Sequence, residues 1–223
     1  MKIEKGLVSI GLVTMSSFVL LAEPKAEAVE VSKGESTAKF QLEAGDPTLP
    51  PEILDPEIGP STGNTGLLTL DSVSSFTFET KKIGGETAAP INATPTKGTK
   101  LGLQVTDNRG LDLGWNLKVS GTSFTEKIGE GSDTTELKGA VVTIPAGELT
   151  TKAGVDPLLT PVANTVSLTT TPATIMSASK TQGRSTWTNT FEGKGEKVTL
   201  AVPSGNKAGN YSSTITWSLE DAP

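Results

Sequence analysis

The chain has 223 residues, no cysteine, no histidine, 4% aromatic residues and a formal charge of −6. Without Cys or His it offers no zinc site, thiol nucleophile, lipid attachment point or Ser-His-Asp triad, which removes much hydrolytic and redox chemistry. The charge is uneven: residues 29–66 carry seven acids against two lysines, whereas residues 67–223 hold 15 acids and 14 bases, so the main body is nearly neutral and presents no phosphate-binding surface for nucleic acid.

Lys2 and Lys5 precede an apolar run over residues 6–22, and Ala26-Glu27-Ala28 puts small residues at two cleavage positions. That is the pattern of a secretory signal peptide over residues 1–28. The run, about 17 residues, lies at the short limit for a membrane span. The chain is therefore expected to be secreted and not membrane-spanning after signal cleavage.

Residues 29–66 read as an acidic, Pro-rich linker. Pro47, Pro50, Pro51, Pro56 and Pro60 block helix and central strand, and like charges keep the segment open. A solvated stalk is expected, with room for one strand near residues 37–42.

From Leu67 onward the pattern is alternation. Apolar residues stand at 101, 103 and 105, at 115, 117 and 119, at 198, 200 and 202, and at 211, 215, 217 and 219, with polar residues between them. A period of two places alternate side chains on opposite faces of a strand. Weaker candidates lie at 68–70, 76–78, 140–144 and 166–168. Gly, Pro, Asn and Asp turns separate them. The expected fold of residues 67–223 is all-β, an antiparallel sandwich or barrel-like sandwich of eight or nine strands. Two long loops, 145–164 and 171–197, interrupt it.

Asp107-Asn-Arg109-Gly110-Leu-Asp112 has oxygen ligands at calcium-like spacing but lacks the rest of such a loop, so a turn fixed by an Asp–Arg bond is the simpler reading. No cofactor or metal is expected. Glu126, Glu130, Asp133 and Glu136 raise the alternative of a carboxylate-dependent wall hydrolase, but they fall in a Gly-rich stretch without an apolar pocket. Trp187, in a Gly/Ser/Thr-rich loop, is a candidate exposed aromatic as well as a candidate plug.

Trp-x-Leu occurs twice, as Trp115-Asn-Leu117 after Asp107-Asn-Arg109-Gly110, and as Trp217-Ser-Leu219 after Tyr211. With Gly183-Arg-Ser-Thr-Trp187, Val198-Thr-Leu-Ala-Val-Pro203 and the lead-in Leu54-Asp-Pro-Glu57, this arrangement resembles the WxL family of cell-surface proteins of low-GC Gram-positive bacteria, in its small members. The resemblance implies a non-catalytic surface protein attached non-covalently to peptidoglycan. It implies partners among other surface proteins of the same operon, including a membrane-anchored WxL-interacting protein, and adhesion to host matrix proteins. It points to Asp107, Arg109, Trp115, Leu117, Trp187, Tyr211, Trp217 and Leu219 as wall- or partner-binding residues. Whether the two Trp–Leu pairs touch ligand or form core stays open at this level. The chain stops at Pro223 with no hydrophobic tail or sortase motif, which leads to the expectation that it is held at the cell by binding alone. An adhesive subunit retained only through a protein partner is the other reading.

Overall fold

A computed structural model describes residues 32–83, 89–129 and 133–221. The expected signal peptide lies outside them. The chain divides into two units, residues 1–41 and 42–223. In the first, residues 32–41 are exposed and carry no regular secondary structure. The strand envisaged near residues 37–42 is absent.

The second unit is all-β. Its strands are β1 (Leu68–Val73), β2 (Phe76–Phe78), β3 (Ile91–Pro95), β4 (Gly102–Asp107), β5 (Trp115–Gly121), β6 (Thr125–Lys127), β7 (Thr134–Glu136) and β8 (Val141–Ile144). They continue with β9 (Glu148–Thr151), β10 (Val162–Ala163), β11 (Val166–Ser167), β12 (Ala173–Ala178), β13 (Ser185–Thr190), β14 (Thr199–Ala201) and β15 (Ile215–Asp221). Three antiparallel sheets, ordered β1-β4-β13-β9, β10-β12-β5-β15 and β11-β8-β14-β3-β2, share one core, and β6 and β7 form a separate hairpin. The architecture fits a β-sandwich, with more strands than the eight or nine expected.

The surplus comes mainly from the two stretches expected as loops, which supply β9, β10, β12 and β13. Strand β13 is central in its sheet and buried on both faces. Its inner face carries Trp187 and Asn189; its outer face carries Thr186 and Thr188. Threonine on a buried face gives no apolar alternation, which is why periodicity passes over it.

Residues 50–62 are not a stalk. Leu54 N–H donates to Gln104 Oε1 (2.7 Å), and Gln104 Nε2 donates to the Glu52 carbonyl (2.8 Å). Lys152 pairs with Glu52 at 2.7 Å, and Lys100 reaches Asp55 at 2.8 Å and Glu57 at 2.9 Å. Ile58 is fully buried. Asp55 caps the 3-10 turn Pro56–Ile58 by accepting from Glu57 N–H, and Gly98, at φ +75°, lets the Glu57 carbonyl approach where a Cβ would stand 2.0 Å away. Proline removes donors but leaves carbonyl acceptors free, so this Pro-rich segment is held by its carbonyls, its acids and the few N–H groups, such as that of Leu54, that its non-proline residues keep. It runs as a strap over β4.

Beside the strap lies a buried polar layer. Asp71, at the bulge of β1, accepts from Thr69 Oγ1 (2.5 Å), Thr106 Oγ1 (2.6 Å) and Gln104 Nε2 (2.8 Å). Thr106 and Thr186 share a further bond at 2.9 Å. Burial holds Asp71 above its ordinary value, with the three donors offsetting part of that effect.

Candidate functional site

The two Trp-x-Leu motifs fall on adjacent strands. β5 and β15 pair antiparallel with Asp221 opposite Trp115, Leu219 opposite Leu117 and Trp217 opposite Val119. Directly opposed residues share a face, so both motifs point to the same side of one sheet.

Their environments differ. Trp115 and Leu117 are fully buried. The Trp115 indole N–H donates to the Gly183 carbonyl at 3.2 Å, across a turn that needs glycine. Gly183 has φ +75°, and a Cβ there would stand 2.5 Å from Trp115 Nε1. Trp217 and Leu219 are half-buried. The Trp217 ring stacks on Phe191, with centroids 6.1 Å apart and planes at 7°. The first motif is therefore core, and the second meets solvent.

Arg109 joins the motif strands. Its Nε donates to Asp107 Oδ1 (2.9 Å) and its Nη2 to Asp107 Oδ2 (2.8 Å) and the Gly114 carbonyl (2.8 Å), while Nη1 bonds Asp221. The Asp107 side chain is fully buried and that of Arg109 is 9% exposed. This bidentate pair ties the end of β4 to the start of β5 and the end of β15, and the Asp107 bond raises the Arg109 pKa further above its ordinary value. Asp112 pairs with Arg184. The calcium-like spacing thus builds two arginine–carboxylate contacts.

Trp217 and Leu219 form one wall of an open cleft of ≈ 570 Å³ between the edges of two sheets. Leu68, Thr69 and Leu70 of β1 form the opposite wall, Asn64 and Thr65 one rim, and Arg109 and Asp221 the other. A predominantly polar lining (Asn64, Thr65, Thr69, Arg109, Asp221) with the Trp217 ring and three leucines among it suits a ligand with both ring faces and hydroxyls.

Other expected site residues lie elsewhere. Trp187, a candidate exposed aromatic, is instead 2% exposed, sits in β13 and donates to the Arg184 carbonyl at 2.9 Å. Tyr211 precedes β15, is half-buried, and donates its hydroxyl to the Lys207 carbonyl at 3.0 Å. It does not line the cleft. Asp221, Asn64, Thr65 and the β1 leucines were not singled out by sequence reasoning. Asp221 lies two residues beyond the motif, whereas residues 64–70 belong to a different part of the fold, about 150 positions earlier in the chain, and only the tertiary fold brings them beside it.

Of the carboxylates of the hydrolase reading, Glu126 and Glu136 do not converge. Glu126 pairs with Thr135 and Glu136 with Thr125, so the two acids point to opposite faces of the β6–β7 hairpin. Glu126 accepts from the Asn210 N–H at 2.6 Å, and Glu130 lies outside the described residues. Among the described residues, no helix is long and apolar enough to cross a membrane.

A family model described as a WxL domain, surface cell wall-binding, matches residues 27–223. No curated protein and no solved structure matches the chain. The match spans the strap, the whole described β-unit and both Trp-x-Leu strands, and the chain belongs to the WxL family of surface cell-wall-binding domains.

Proposed function

We propose that this cell-wall-binding surface protein is secreted, lacks catalytic activity and attaches non-covalently to peptidoglycan, with the cleft at Trp217 and Leu219 as its contact. One observation carries this reading: of the two motif copies, the second alone meets solvent, and it does so along an open groove with polar rims. Tryptophan offers a flat apolar face to a sugar ring, and Asn64, Thr65 and Asp221 offer bonds to hydroxyls or amides. Bulk charge does not supply the affinity, because residues 67–223 are nearly neutral. Trp115, Leu117, Asp107 and Trp187 serve as supports that hold the contact strand in place. In this reading the protein works within a surface complex that includes a membrane-anchored partner and contributes to adhesion to host matrix.

The test is co-sedimentation of residues 29–223 with isolated peptidoglycan. Wild type is expected in the pellet. Trp217→Ala, with its fold verified by circular dichroism, is expected in the supernatant, as is the double variant Asn64→Ala/Thr65→Ala to a lesser degree. A folded Trp217→Ala that pellets as wild type does would remove the cleft from the contact. Wild type that stays in solution both alone and with surface extract would end the wall-binding assignment of this chain.

A further inference from the structure

β15 is hydrogen-bonded to β5 on one side and to no strand on the other among the described residues. It is seven residues long, and its register with β5 runs without a bulge from Ile215 to Asp221. Natural sheets blunt such edges with prolines, bulges, inward charges or very short strands. Residues 215–219 show none of these devices. The facing edge of β1 is partly occupied: Ser61 bridges Ser72, Thr62 N–H donates to the Asp71 carbonyl (2.7 Å), and Asn64 Nδ2 donates to the Leu70 carbonyl (3.0 Å). The cleft therefore lies beside one free edge, that of β15.

Residues 37–42, Thr-Ala-Lys-Phe-Gln-Leu, alternate with period two. Phe40 is 89% and Leu42 86% exposed, the highest values for large apolar side chains among the described residues. Ala38, Phe40 and Leu42 share one face of an extended chain, and Thr37, Lys39 and Gln41 share the other. Six residues in extended form span roughly 20 Å, close to the length of β15. The charges are complementary as well: Lys39 is basic, and the end of β15 carries Glu220, 44% exposed, and Asp221, 73% exposed.

We propose that the free edge of β15 accepts residues 37–42 of a second copy of this chain as an added strand, with Phe40 and Leu42 entering the cleft beside Trp217 and Leu219. Backbone pairing supplies the affinity and the two side chains supply the register, as in other strand-addition complexes. Donor and acceptor are different surfaces, so the contact is heterologous and propagates from copy to copy or closes a ring. It fills the same cleft that the wall-contact reading uses, so strand addition and wall contact compete there, and it is tested without wall material.

Residues 29–223, which contain all the described structure, are run on size exclusion with light scattering over a hundredfold concentration range. The expected mass rises from one copy to several. Phe40→Glu, at an exposed position, is expected to remain one copy with unchanged melting temperature. The absence of cysteine makes cross-linking selective: Lys39→Cys in one preparation and Ser218→Cys in another should give a mixed disulfide on mild oxidation, whereas Lys33→Cys with Ser218→Cys should not. A single copy at every concentration, association that survives Phe40→Glu, or Lys39→Cys and Ser218→Cys preparations that form no more mixed disulfide than the Lys33→Cys control overturns the proposal.

Discussion

Removing the Arg109 guanidinium while keeping its apolar stem isolates what ties the two motif strands to the end of β4 in the neighbouring sheet. In Arg109→Met, the fully buried Asp107 carboxylate keeps a single donor from its own turn, the residue-109 backbone N–H at 3.1 Å, and loses both guanidinium bonds. Leaving a buried charge without its partner costs about 3–5 kcal/mol. The Asp221 arm differs: its carboxylate is 73% exposed, and an exposed pair contributes about 0–1 kcal/mol. Arg109→Met is therefore expected to lose about 4 kcal/mol, roughly a thousandfold in the folding equilibrium, and Asp221→Asn less than about 1 kcal/mol. At about 2–4 °C per kcal/mol for a domain of this size, the first shift is about 8–16 °C. Urea titration followed by tryptophan fluorescence reads both, and Asp107→Asn/Arg109→Met should recover more than half of the loss. Equal losses in Arg109→Met and Asp221→Asn, or a loss below about 1 kcal/mol in the former, would refute the idea that the buried pair is the tie.

Gly183→Ala is expected to destabilise by more than about 2 kcal/mol, since a Cβ would stand 2.3 Å from that of Ala178 at φ +75°. Gly63→Ala, at φ +73° with open space around it, should cost about 1–2 kcal/mol from its backbone alone, and denaturation midpoints will rank the two. Ile58→Ala, at a fully buried position in the strap, should cost about 2–5 kcal/mol, whereas a solvated stalk would show no change. Asp71 has a folded-state pKa above 3.8, so its folded form holds the proton to higher pH than its unfolded form does. Its contribution is greatest below the unfolded value and is lost as pH rises through the folded one. The stability of wild type relative to Asp71→Asn should therefore increase as pH falls from about 7 to about 4, and a flat difference would contradict the sign.

The strands that alternate one apolar face with one polar face were legible in the sequence: β5 shows strict alternation of burial, and β15 is half-buried on alternate residues. What escaped is what breaks that correlation. β4 is buried at all six positions and β13 at its central four, because the strap and its neighbours cover an outer face made of Gln104, Thr106, Thr186 and Thr188. Polar residues on a covered face look like loop or solvent face in one dimension. The strap was hidden for a related reason: proline and acid are the composition of a stalk, and only Lys100, Lys152 and Gln104, far along the chain, turn those acids and carbonyls into contacts. The Trp-x-Leu spacing was enough to place both pairs on strands. It carried no information on which copy would be enclosed, since that depends on where β15 stands in its sheet.

The join between β5 and β15 has a kinetic side. Lys118 and Glu220, neighbours across those strands, are 102 positions apart in the chain. Closing so long a loop before any pairing is rewarded slows assembly, as in other sheet proteins dominated by distant partners. Until that pairing forms, Trp217 has no fixed place against Phe191, so the stacked aromatic pair depends on contact between distant parts of the chain.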